Sequence, residues 1–418
     1  MRRASREEQK RDIKPMDLES TPLKFGRTVK RHGTLVEDMA TGRQEVDNTN
    51  HRTVQLVKLL SQLGPDVPEI SRRLGQFKES VRYRYKEKVV NRGIAIQGAV
   101  DHEKLGLKRM MAVVDVAEPY RNYAQAVFAA MHELCYVVGF AKTLVSGEHV
   151  VNFSVPIEHV SAMHTLLGQL EETGMFSRLE ILDFDWFRTV PMKPEYYDFD
   201  SGRWDFDWQG RGPDDFQSAA GVPSEKTKFD YVDLLIVKEL QVDANKSLRE
   251  MADKLKVNYK KLAWHYSTHV NARRLISGYT VNWMGTRYDY KLEKALHRKH
   301  RYFAVDLFAR DVSGLESMSL RRGIDRLPFL WGEAGGGNYF AEFAFPVDNV
   351  IEALQYIGGV SHGVRERTSI YPIDQSEAAR FTIAYQLFDP ITKRWMLDAE
   401  NLLSKFEGLM VQIKTGVS

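Results

Sequence analysis

EISRRLGQFKESVRYRYKEKVV (69–90) and EMADKLKVNYKKLAWHYSTHVN (250–271) are two copies of one pattern. At a constant offset of 181 the apolar phase coincides without a gap: Glu69 falls on Glu250, Ile70 on Met251, Leu74 on Leu255, Val81 on Leu262, Tyr85 on Tyr266 and Val89 on Val270. Just upstream, RTVQLVKLL (52–60) falls on VDLLIVKEL (232–240). A repeat this long is too large for a solenoid unit and reads as two similar modules in tandem. Within the first copy, apolar spacing predicts a helix over 52–63, stopped by Gly64 and Pro65, a short helix over 68–75, and a third from about 77 to 91 that ends before Gly93. Three short helices with tight turns, the last rich in Arg and Lys, form the helix-turn-helix pattern.

Composition bounds the rest. A chain of 418 residues holds at least two domains, and 43% hydrophobic with 28% charged residues is ordinary for a globular protein. Net charge is +3, too mild to identify a nucleic-acid binder without looking at its distribution. Cys135 is the only cysteine, which excludes an internal disulfide and points to a reducing compartment. The N-terminus lacks the apolar core of a signal peptide, and the most apolar stretch, 123–141, carries His132 and Glu133 and reads as a helix running into a strand. A cytoplasmic protein without membrane contact is expected. Residues 1–33 hold ten Arg/Lys against five Asp/Glu, so 1–48 reads as a flexible basic arm.

After each helical triplet the period changes. Strands are predicted over 106–118, 135–144, 149–156 and 178–190, with helices over 119–134 and 157–174. The order β-α-β-β-α-β is the ferredoxin-like plan. The second module repeats it: strands over 301–311, 329–334, 339–347 and 364–373, helices over 313–326 and 348–359. Residues 191–227, in which Asp, Gly, Pro and aromatics alternate without period, read as a linker lying against a module. Residues 376–418 have no evident counterpart in the first module, and 399–414 reads as an amphipathic helix for packing or dimerisation.

The third helix of module one carries the chemistry. Phe77, Val81, Tyr85 and Val89 are spaced four apart as a buried stripe. Lys78, Arg82 and Lys86 occupy the adjacent stripe, and Arg84 and Lys88 extend the positive surface on the other side. Six Lys/Arg against two Glu between 76 and 92 fit a polyanion opposite, with cations on phosphates and base edges of duplex DNA; an ordinary solvated helix face is the plainer alternative. In the second copy Lys260, Lys261, His265, His269, Arg273 and Arg274 read as exposed, the first five as candidate DNA contacts with plain surface as the alternative, and Trp264 as core. His265 and His269 point the same way and have zinc-ligand spacing, but no third ligand follows, so no metal is expected.

FDYVDLLIVKELQVDANKSLREMADKLKVNYKKLAWHYSTHVNARRLISGYTVNW (229–283) resembles the winged helix-turn-helix of the Lrp/AsnC (leucine-responsive, feast/famine) regulators, down to the closing strand at Leu275, Ile276, Gly278 and Tyr279. In module one, Ile94, Ile96, Gly98 and DHEKLGL (101–107) resemble the same family's entry into its second domain. The resemblance covers 50–190 and 228–375. It implies an α+β fold of two tandem modules, each a winged helix-turn-helix followed by a ferredoxin-like βαββαβ domain. The expected boundaries are 49–98 and 99–190 for the first module, 228–284 and 285–375 for the second. It also implies ligand sensing and assembly by the ferredoxin-like domains. The family's Ser-Gly-Asp/Glu hairpin is matched by Ser146, Gly147 and Glu148, where an amino-acid-like effector is the sharper reading and a tight turn the plainer one. In module two Gly335, Gly336 and Gly337 stand there instead. Two modules in one chain depart from the family, whose members are about one module long and dimerise.

The expected function is a DNA-binding transcription regulator with double-stranded DNA as partner, likewise a homo-oligomer, without metal or redox cofactor. A chromatin-like architectural protein is the alternative. A further group sharing this layout decarboxylates siroheme and carries a Thr-His-Asn-Tyr run. The equivalent strands here, CYVVGFAKTL (135–144) and PFLWGEAGGGNYF (328–340), lack it. With no serine elbow, phosphate loop or metal quartet in the sequence either, no enzyme is expected.

Overall fold

The computed structural model describes residues 39–209, 225–284 and 302–415, with side chains from Asn50 onward. The chain divides into a unit of residues 1–45 and a unit of residues 46–418. The expected basic arm lies outside the described residues up to residue 38, and from Met39 the backbone is helical. Apart from the first turns of that helix, all that follows concerns the larger unit.

Module one begins with α1 (Met39–Leu63), α2 (Val67–Leu74) and α3 (Lys78–Lys88) and a strand β1 (Ala95–Val100). Asp66 caps α2 by accepting from the Glu69 amide, and Gly75 ends it in the left-handed conformation. Then come β2 (Leu107–Val116), α4 (Ala124–Cys135), β3 (Val137–Thr143), β4 (His149–Pro156), α5 (Val160–Glu172) and β5 (Phe176–Asp183). The single strand expected over 178–190 is broken at Phe184 and Asp185, and a separate strand β6 (Trp186–Thr189) follows. A small hairpin, β7 (Tyr197–Asp198) and β8 (Arg203–Trp204), completes the module.

Module two repeats this with α6 (Tyr231–Val242), α7 (Leu248–Leu255), α8 (Tyr259–His265) running into a π-helical turn Tyr266–Asn271, and β9 (Ile276–Asn282). Next are β10 (Tyr302–Ala309), α9 (Gly314–Ile324), β11 (Leu330–Gly335), β12 (Tyr339–Pro346), α10 (Val350–Val360) and a long β13 (Thr368–Arg380). A hairpin of β14 (Phe388–Asp389) and β15 (Arg394–Trp395) and the helix α11 (Ala399–Thr415) end the described chain. The fold is α+β with two tandem modules, as expected from the sequence.

The modules are interlocked. A single antiparallel sheet runs β5-β2-β4-β3-β13-β10-β12-β11-β6. In each module the last strand first pairs with its own sheet and then crosses to the other. After β5 the chain crosses as β6 to β11, with Arg188 opposite Glu333 and Trp186 opposite Gly335. Likewise β13 pairs with β10 and, from Ile373 onward, with β3, in a register that shifts between Asp374 and Ala378 and places Arg380 opposite Gly139. A core drawn from both modules lies between, including Met111, Val150, Leu182, Phe184, Phe308, Phe340 and Ile373. The two helix-turn-helix heads are joined separately, by the antiparallel pair β1–β9. Gly64, at φ +66°, leaves room there for the Tyr279 ring, which would lie 2.5 Å from any Cβ at that position.

Two sequence readings change here. The stretch read as a linker is folded in its first part: Pro194–Tyr196 is a 3-10 turn leading into the β7–β8 hairpin. The stretch after residue 376 does have a counterpart, since Tyr385–Leu387 and the β14–β15 hairpin repeat it, Arg203-Trp204 matching Arg394-Trp395. The match runs at an offset unlike that of the heads, which is why it escaped the pattern. Each tryptophan anchors the opposite module: Trp204 stacks on Trp283 and packs edgewise on Phe329, while Trp395 donates to the Leu105 carbonyl at 3.0 Å and meets Tyr136. Helix α11 buries Leu402, Phe406 and Met410 and packs on α5.

The β6 crossing is pinned by charge. Arg188 donates to the fully buried Glu333 at 2.6 Å and to Asp325 at 3.0 Å, and Tyr339 donates to Glu333 at 2.6 Å. Removing one partner of such a pair strands a buried charge, so Arg188→Ala is expected to lower stability by about 3 kcal/mol. A urea-unfolding midpoint equal to that of the unchanged protein contradicts this.

Candidate functional site

The first head presents one open stripe. Lys78, Arg82 and Lys86 on α3 are exposed, with Val81 buried and Tyr85 half-buried beneath them. Tyr83 is exposed beside them. Phe77 does not join the buried stripe as expected; it is 85% exposed, because it is the extended N-cap residue ahead of the first helical turn. Arg84 and Lys88 turn away from the stripe. Arg84 is half-buried and donates to Gln76 Oε1 at 2.9 Å, and Lys88 lies 3.8 Å from Asp200. They line an open groove of about 1120 Å³ with Arg52, Tyr83, Glu87 and Arg92.

The second head is milder. Lys260 and Lys261 are exposed at the start of α8, where Asn258 caps the helix by accepting from the amides of both. Trp264, expected in the core, is 53% exposed. His265 and His269, expected at the surface, turn inward. His265 is 4% exposed, its Nδ1 2.9 Å from Asp233 Oδ1, and His269 Nδ1 lies 3.0 Å from Asp233 Oδ2. Asp230 Oδ1 is 3.6 Å from His265 Nδ1. The π turn carries both rings to one side, and Trp264 contacts each edgewise at 4.9 and 4.7 Å between centroids. Arg273 is held by the Lys228 carbonyl. The acidic partners stand some thirty residues upstream on another helix, beyond the reach of a spacing motif.

The hairpin turn of module one is satisfied by its own chain. Gly147 adopts φ +74°, and the Glu148 carboxylate accepts from Ser146 Oγ at 2.8 Å and Arg178 Nη1 at 3.0 Å. Attention moves instead to a space between the β1–β9 pair and the large sheet. About 60 Å³ of free volume is lined there by Gln97, Thr189, Thr280, Asn282, Trp331 and Arg380, among others. Arg380 sits 5.3 Å from the Trp331 ring centroid and bonds Glu342. Nearby, Arg109 lies 4.3 Å over the Phe187 ring, and burial together with Arg380 pushes its guanidinium down to about 9. His102 bonds Ser154 Oγ at 2.6 Å and is held well below its usual range by burial and by Arg109. Arg109 Nε and Trp331 Nε1 are buried without a hydrogen-bond partner among the described residues. Nothing in the local sequence marked these positions, since they come from strands and connections far apart in the chain.

No protein-family model matches the chain, and no curated protein matches its sequence. Solved structures to which it is similar include two crystal structures of the siroheme decarboxylase NirDL. One is 12% identical and covers 84% of this chain and 98% of the other at a TM-score of 0.49. The second, in co-complex with an iron-uroporphyrin III analogue, is 11% identical and covers 89% and 100% at a TM-score of 0.47. These matches correct the expectation that the chain is no enzyme, which rested on the missing Thr-His-Asn-Tyr run and on missing motifs of other reaction classes: an enzyme carries a similar layout. At this identity and overlap they assign neither activity nor ligand to this chain. Among the described residues no helix is long and apolar enough to cross a membrane.

Asp306 supplies a pH test of the inner site. It is buried on β10 opposite Glu342, and burial raises its carboxyl to about 7, with Arg380 pulling the other way. Between about pH 4 and pH 7 the unfolded chain has released this proton while the folded chain keeps it, so rising pH favours unfolding. The contribution is complete below the unfolded value and lost as pH rises through 7. Asp306→Asn is expected to flatten the fall in unfolding midpoint across that window. Parallel curves for the two proteins speak against a raised carboxyl.

Proposed function

We propose that this chain is a DNA-binding transcription regulator resembling the Lrp/AsnC family, acting in the cytoplasm on double-stranded DNA, with α3 as its principal reading helix. The observation that carries this is the stripe Lys78, Arg82 and Lys86: three exposed cations, four residues apart, without ion-pair partners among the described residues, beside exposed Phe77 and Tyr83. A helix face so charged is at ease only against solvent or a polyanion, and the head's helical triplet presents it as a groove-reading element would. The second head adds Lys260 and Lys261. Two unequal heads held in one chain favour an imperfect palindrome over a symmetric one.

A second reading concerns an effector. Arg380 and Trp331, whose Nε1 lacks a hydrogen-bond partner among the described residues, support binding of a small carboxylate such as an amino acid in the inner space. At about 60 Å³ this space is far below the roughly 300–1,000 Å³ of pockets for drug-sized ligands, and so too small for a macrocycle as it stands. Self-association is also part of the proposal. Helix α11 covers α5 of module one, whereas the helices of module two carry exposed Leu315, Met318 and Ile351.

Arg82→Ala with Lys86→Ala is expected to remove about two phosphate contacts and reduce the slope of log affinity against log salt by roughly 2. Fluorescence anisotropy over a salt series measures it, and an unchanged slope and affinity sink the proposal. Footprinting on genomic fragments separates a regulator from an architectural protein, by discrete protection against continuous coverage.

A further inference from the structure

The geometry points to a divalent-metal site in the second head, formed by Asp230, Asp233, His265 and His269. Their ligand atoms, one from each residue, all lie within 4.8 Å of one another. The closest separations are 2.9 Å from His265 Nδ1 to Asp233, 3.0 Å from His269 Nδ1 to Asp233, and 3.6 Å from His265 Nδ1 to Asp230. Ligands about 2.0–2.2 Å from a tetrahedral zinc stand roughly 3.3–3.6 Å from each other, so to surround an ion the closest pairs must open slightly and the wider ones, within 4.8 Å, must close. Two imidazoles and two carboxylates suit zinc or a neighbouring first-row dication rather than calcium or magnesium.

Charge favours the same conclusion. Asp233 is wholly buried, and with neutral imidazoles the quartet carries two negative charges. No lysine or arginine side chain forms an ion pair with either carboxylate among the described residues. A buried carboxylate demands compensation, and a dication supplies it at once. Without an ion each Nδ1–H donates to the Asp233 carboxylate; with one bound, each ring would offer Nδ1 to the ion and carry its proton on Nε2 instead. The backbone is already arranged for this. Asp230 and Asp233 form the capping box of α6, with Asp230 accepting from the Val232 and Asp233 amides, so both carboxylates are fixed in place before any ion arrives. The ion would then tie the start of α6 to the end of the reading helix α8, setting the angle at which Lys260 and Lys261 are presented. The inference does not depend on DNA binding and is tested without DNA.

The probe is zinc chloride added to the metal-stripped, full-length chain, with excess removed before metal analysis. About one zinc per chain is expected, with a raised thermal midpoint and altered tryptophan emission, since Trp264 touches both rings. His269→Gln, at a half-buried position, and Asp230→Asn, which retains a capping side chain, are expected to fold and to weaken zinc binding by at least roughly tenfold. The site is refuted if the unchanged chain retains no zinc and its midpoint does not move, or if both variants bind zinc as it does.

Discussion

Everything in this molecule hangs on the exchange of fourth strands. A four-stranded ferredoxin-like sheet has an exposed edge at its second strand, a row of unpaired amides and carbonyls. Here each such edge is closed by the tail of the other module's last strand, β6 on β11 and the end of β13 on β3. The crossing brings Arg188 onto Glu333 and carries each Arg-Trp hairpin to the far module. Neither module is complete alone, and the shared core of Met111, Phe184, Phe308 and Phe340 exists only because both are present. In a protein built from identical copies this arrangement would be a two-fold dimer interface. Covalent linkage makes it permanent and independent of concentration.

Linkage also releases the halves from being alike. The first head keeps an open cationic stripe; the second gives its histidines to Asp233 and retains two exposed lysines. The same divergence appears at the hairpins, where Glu148 is bound by Arg178 in one module while Glu333 anchors the crossing strand in the other. The inner space under the β1–β9 pair draws residues from both modules: Gln97 comes from β1 and Thr189 from β6, Thr280 from β9, Trp331 from β11 and Arg380 from β13. A symmetric dimer would form two equivalent sites. This chain can specialise one.

The heads and the ferredoxin-like order were legible because helical and strand periods are local properties of the chain. Val81, Val89, Leu262 and Val270 are buried as their spacing requires. What escaped depends on tertiary placement. Phe77 and Trp264 are apolar by type but exposed, the first as the extended N-cap of α3 and the second on the outer face of α8. His265 and His269 are polar by type, yet Asp233, over thirty residues away, draws them in. The Arg-Trp hairpins were hidden by their different spacing from the heads, and by the lack of any local sign that a strand would leave its own sheet. Arg109 and Asp306 lie on strands whose individual patterns read only as core, and Arg380 lies beyond the end of the strand expected over 364–373. Buried charge is intelligible in a folded chain and nearly invisible in a linear one.

The crossing strands impose an order of events on synthesis. Thr189 pairs with Gly332, so β6 leaves the ribosome about 140 residues before its partner, a wait of roughly seven to thirty seconds at 5–20 residues per second. Through that interval the first module carries an unpaired edge at β3, a dangling β6 and an aromatic hairpin with nothing to pack against. Two nascent chains on one message hold the same unfinished surfaces close together, and each can accept the other's strand in place of its own. Completion within a single chain is therefore a race between elongation and encounter, and translation rate becomes a determinant of whether this protein emerges as separate molecules or as exchanged pairs.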